Sequence, residues 1–168
     1  MKKRTVMAML LAAVALPAAA QTTGKQPVLV SIKRMSLDTA LKAAHAAIEA
    51  CRKEGVQIAV TVIDRGGAAQ VVLRDVLAAD LTLKVSQAKA YAALSFVMPT
   101  SQIESRFTRP FEPPAVGGIV VSPGGVPIQA GGELVGAIGV SGAPSGQIDE
   151  RCARAGFDAI NEDLELGG

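Results

Sequence analysis

Between Gly124 and Gly142 the chain reads GGVPIQAGGELVGAIGVSG, glycines interleaved with Val, Ile and Leu. Glycine weakens a strand interior and loses the most backbone entropy on folding, so this density needs a structural cause. A dinucleotide fingerprint is excluded, because it needs G-x-G-x-x-G opening a helix and GAIGVSG has another spacing. A P-loop is excluded too, since no Gly-Lys-Ser/Thr ending follows. Gly131-Gly132 is the two-residue linker that a tight hairpin requires. Gly136, Gly139 and Gly142 remain, within or at the end of a β-run, where glycine marks close approach. Either a helix packs on those positions or a flat ligand lies over the sheet.

The rest of the chain supplies the partners of that sheet. A helical period starts after Ser36, with Leu37, Ala40, Leu41, Ala44, Ile48 and Cys51 on one face. Ser36 is its N-cap and Gly55 its stop. VQIAVTVID and AAQVVLR flank the turn RGG and read as a hairpin. A second helix spans about Thr82 to Phe96, ended by Pro99. Thr100 to Gly118 is proline-rich and reads as irregular with one short helical turn. GIVVS, VPIQA and ELVGAIGVSG are three further β-runs, and a last helix follows Ser145 with Ile148, Cys152, Ala155 and Ile160 inward. The order α-ββ-α-βββ-α predicts an α+β domain with an antiparallel sheet of roughly five strands and flanking helices.

The opening MKKRTVMAMLLAAVALPAAAQ has three basic residues, a short apolar run and Ala18-Ala19-Ala20, the pattern of a secretory signal peptide. The run is too short for a membrane anchor, and Pro17 interrupts it. Residues 1–20 thus read as signal peptide, 21–34 as a mobile leader and 35–166 as one domain, periplasmic or secreted, with no membrane span after cleavage. Without Lys2, Lys3 and Arg4, seventeen basic residues become fourteen against fifteen acidic, a net charge of about −1. No basic run with interleaved aromatics remains to suggest nucleic acid.

VTVIDRGGAAQVVLRD, AKAYAALSFVMPTSQI, GGVPIQAGGELVGAIGVSG and DERCARAG, in that order, resemble the GlcG/HbpS-like haem-binding family. The likeness runs from about Met35 to Leu164. It implies an antiparallel sheet with helices, assembly into homo-oligomers, and haem or a related tetrapyrrole as the ligand of some members. Many members carry Gly-Ala, often with a nearby His, after the second strand. Here Val76 to Asp80 is more apolar and lacks both, which argues against a ligand grip made by that loop.

Haem iron is held by His, Cys, Met or Tyr. His45 is the sole histidine, the candidate metal ligand, although it sits on the border of its helix's apolar face. Met35, Met98 and Tyr91 are further donors, and Thr100 is an oxygen donor of the kind some family members use. Lys89 either pairs with a haem propionate or is solvated. With Gly136 and Gly139, the candidate ligand-binding set is His45, Lys89, Met98, Thr100, Gly136 and Gly139. Asp64 and Arg65 read as turn residues. Catalysis finds little support, and the reading leans away from an enzyme: His45 has only Glu49 nearby, and no cluster has zinc spacing. The expectation is an exported homo-oligomer binding haem, a related tetrapyrrole or a small organic ligand at a subunit interface. The alternatives are a small-molecule-processing or haem-degrading enzyme with an inter-subunit site, and an accessory subunit without ligand.

Cys51 and Cys152 are the only cysteines. An exported chain with an even count favours a bridge. If the first and last helices run antiparallel on one sheet face, the two Cα atoms come within the roughly 4.4–6.8 Å a disulfide needs. Two buried free thiols are the alternative.

Overall fold

The computed structural model describes residues 27–104 and 117–167. The chain divides into two units, Met1–Ser31 and Ile32–Gly168. Of the first, residues 27–31 are described and hold no helix or strand. The expected signal peptide, the leader up to residue 26, and residues 105–116 of the proline-rich segment lie outside the described residues.

The elements of the second unit run α1 (Leu37–Lys53), β1 (Ala59–Asp64), β2 (Ala69–Arg74), α2 (Leu81–Phe96), α3 (Thr100–Glu104), β3 (Gly125–Ala130), β4 (Glu133–Ser141) and α4 (Gly146–Gly167). The strands form one antiparallel sheet in the order β2-β1-β4-β3. Helices cover both faces, so every residue of central strand β1 is buried. Val60, Val62, Ile138 and Val140 face α1 and α4. Ile63 and Ala137 face α2, against Ala90, Ala93 and Leu94. Strand alternation divides two cores this way.

Local chemistry explains the ends. Ser36 Oγ accepts from Thr39 N at 3.2 Å and caps α1, and Gly55, at φ +73°, stops it. At the β1–β2 turn, Asp64 Oδ1 accepts from Gly66 N and Ala68 N, as expected of a turn aspartate. Gly131 and Gly132 both have positive φ, +55° and +80°, as a type I′ hairpin demands. Val97 closes α2 in the left-handed region at φ 52°, a strained choice for a β-branched residue. Pro127 sits in β3, an edge strand, where its missing N–H breaks no inner ladder.

Three expectations need correction. Among the described residues the sheet has four strands, not five: GIVVS forms none, because Val120 N turns to Ala88 O on α2 and Pro123 then lacks a donor. Leu37 and Leu41 on α1 are exposed, at 62% and 36%. The buried stripe is Ala40, Ala43, Ala44, Ala47, Ile48 and Cys51. The cause is close helix packing: a Cβ on Gly156 of α4 would lie 2.7 Å from Ala43 O, so only small residues fit the crossing. On α4, Ala155 and Ile148 are half-buried, while Ala153 and Gly156 take the inner positions.

Within the glycine run, Gly125 and Gly139 resolve as helix packing, and Gly136 as close approach of the neighbouring strand β1. A Cβ on Gly139 would stand 2.0 Å from Ser86 O and 2.6 Å from Ala90 N of α2. One on Gly125 would stand 2.3 Å from Lys89 O, and one on Gly136 2.4 Å from Ile63 O. The helix therefore lies directly on the backbone of β3 and β4.

Candidate functional site

The structure disperses the residues singled out above. His45 projects from α1 and is exposed, at the rim of a cavity of about 180 Å³ shared with Ile48, Arg52, Leu73, Arg74 and Asp75. Hydrogen bonds to Asp75 and to Glu49 raise the Arg52 pKa above its ordinary value. Lys89, Thr100 and Met98 belong to the opposite, α2 side of the sheet. Thr100 is fully buried, and its Oγ1 accepts from Gly125 N at 2.8 Å. Met98 is half-buried, and Met35 is buried. The space over Gly136 and Gly139 is filled by this chain's own atoms.

Lys89 is the largest departure. It is not solvated: it is 3% exposed, and its Nζ donates to Asp149 Oδ2 at 2.8 Å. Gly124 makes the room, since a Cβ there would meet Lys89 Nζ at 2.8 Å. Asp149 Oδ1 also accepts from Ala143 N at 3.0 Å. Burial pushes the Asp149 carboxyl up from its ordinary value, opposed by the hydrogen bond from Lys89. The next residue, Glu150, accepts from Ser101 N and Ser101 Oγ and pairs with Arg154. The first turn of α4 thus ties down α2 and α3 through buried carboxylates.

Cys51 Sγ and Cys152 Sγ are bonded, with their Cα atoms 5.6 Å apart. The end of α1 meets the start of α4 there on one sheet face.

A cleft of about 400 Å³ lies along the outer face of α2, lined by Lys84, Gln87, Ala88, Tyr91, Gly67 and Gly118. The four helical residues fall at i, i+3, i+4 and i+7, one continuous stripe. Gly67, Ala88 and Gly118 present nothing larger than a methyl group. A Cβ on Gly67 would stand 2.8 Å from Tyr91 Cε2, so that glycine lets the ring settle on the hairpin turn. A second cavity, of about 300 Å³, lies beside the start of α1 and includes Lys33, Arg34, Ser36, Thr39 and Asp163. Among the described residues no cluster of His, Cys, Asp and Glu could hold a metal ion by itself. No helix there is long and apolar enough to cross a membrane.

A doubly covered antiparallel sheet with an open cleft along one helix defines the class, an α+β domain. The chain belongs to the HbpS-like family, described as haem-degrading protein HbpS-like, whose model matches residues 35–158. It is similar to a variant of Streptomyces reticuli HbpS, with 37% identity, TM-score 0.75, and 86% of this chain and 99% of that one covered. A second HbpS structure shows 36% identity, TM-score 0.77, and coverage of 83% and 99%. A PduOC:heme complex shares the fold at 24% identity and TM-score 0.71, covering 77% of this chain and 96% of that one. No functionally curated protein matches the chain.

Proposed function

We propose that this chain is an exported binding protein that holds haem or a related tetrapyrrole at a boundary between copies of itself. Membership of the HbpS-like family over residues 35–158 carries the reading. Ligand chemistry supports it. Ala88 and Gly118 leave a small-residue floor on which a planar ring can rest, Lys84 is a cation for a carboxylate, and Tyr91 is an oxygen donor of an iron-binding kind. The lining residues Lys84, Gln87, Tyr91 and Gly118 are exposed, so a ring seated here keeps one side open for a second copy to cover. Val76, Leu77 and Leu81, which stand 82%, 79% and 65% exposed, supply apolar surface for such a contact. The signal-like opening and the paired cysteines support export into an oxidising compartment.

Haemin titrated into the purified protein at neutral pH tests the reading: a saturable Soret shift is expected, and an unchanged free-haemin spectrum overturns it. Light scattering at micromolar concentration is expected to give a multiple of the protomer mass. The family's description favours a second reading, haem breakdown. Its signature is a time-dependent loss of haem absorbance under a reductant in air; a stable spectrum under those conditions rules it out.

A further inference from the structure

We propose that Tyr91 is the axial oxygen ligand of the tetrapyrrole's iron and that Lys84 takes one of its carboxylates; this rests on the binding function above. Among the described donors of suitable chemistry, Met98 is half-buried and outside the lining of the α2 cleft, and the remaining alternatives are occupied or confined. Cys51 and Cys152 are bonded to each other. Met35 is buried against the sheet, and Thr100 Oγ1 is held by Gly125. His45 borders a cavity less than half the size, across which Arg52 already grips Asp75. Tyr91 is 42% exposed and stands in the larger cleft, and no hydrogen bond to a described residue engages its Oη.

Placement then fixes the second contact. Lys84 lies seven residues before Tyr91 on the same stripe of α2, about 10 Å along the axis. A haem propionate stands off the iron by a comparable length. Gln87 and Ala88 lie between the two, and Gly67 holds the phenol ring in place. On coordination the Tyr91 O–H proton leaves to solvent and the phenolate oxygen bonds ferric iron, whose oxidation state does not change.

Haemin titrations of the wild type, Tyr91→Phe, Lys84→Met and His45→Ala test this. The wild type is expected to show the long-wavelength charge-transfer band of phenolate-bound ferric haem. Tyr91→Phe should lose that band and bind at least tenfold more weakly, with unchanged far-ultraviolet circular dichroism. Lys84→Met should keep the band yet bind several-fold more weakly, and that difference should vanish with haemin dimethyl ester, which has no carboxylates. His45→Ala should match the wild type. If the wild type binds haemin and Tyr91→Phe binds it with the same spectrum and affinity, the Tyr91 assignment is wrong while the binding function stands. A wild type that leaves the haemin spectrum unchanged overturns both.

Discussion

At the scale of single residues, the buried pair of Lys89 and Asp149 has the largest consequences. Both side chains are nearly sealed from water, at 4% and 5% exposure. Removing one partner strands a charge, which costs about 3–5 kcal/mol, whereas removing both leaves none. Lys89→Met and Asp149→Asn should therefore each lower stability by that order in urea titrations. The double variant should recover most of the loss, because the new amide oxygen would still accept from Ala143 N. Additive losses would show that the two side chains are not coupled. The pH dependence has a definite sign. Burial raises the native Asp149 pKa above that of the unfolded chain, so the native state binds more protons between the two values. The wild type should lose stability relative to Asp149→Asn as pH rises through that interval, and a relative gain would contradict the burial.

At the scale of elements, the fold depends on how closely helices approach the sheet and each other. Gly139→Ala puts a methyl group 2.0 Å from Ser86 O, with β4 and α2 backbone on either side. Overpacking of this kind costs about 1–3 kcal/mol. Gly131→Ala meets nothing within 4 Å and costs only the left-handed backbone penalty, about 1–2 kcal/mol. Thermal denaturation should place Gly139→Ala below Gly131→Ala, and it should loosen α2 in hydrogen exchange while Gly131→Ala does not. Periodicity and capping made the long helices and the strands legible: Ser36, Gly55, Gly131-Gly132 and Ser145 mark real boundaries. The same local signals could not identify the buried face of α1, since that face was chosen by Gly156 of a distant helix. They likewise read GIVVS as a strand, although Val120 N bonds to α2 instead. The candidate site was the least legible part. Residue chemistry picked out Lys89 and Thr100, which tertiary contacts consume internally, while the spacing of Lys84, Gln87, Ala88 and Tyr91 was the available signal for the cleft.

At the scale of the whole molecule, the bond between Cys51 and Cys152 spans a sequence separation of 101 residues. In the chain-entropy description, closing a loop of that length stabilises the native state by about 4–5 kcal/mol, less any strain. Replacing both cysteines with alanine should lower the melting temperature markedly. Intact-mass spectrometry after alkylation without reductant should find no modified thiol; two alkylated cysteines would show that the bridge does not form. The bond also makes a covalent circle of the chain. Everything from β1 to β4, with α2 and α3, lies inside that circle, while most of α1 and α4 hang from it as two arms. One peptide-bond cut anywhere within the circle leaves a single molecule, now joined by sulfur instead of by its backbone. A nicked sample would thus run as one band on a non-reducing gel and separate into two only when thiol is added.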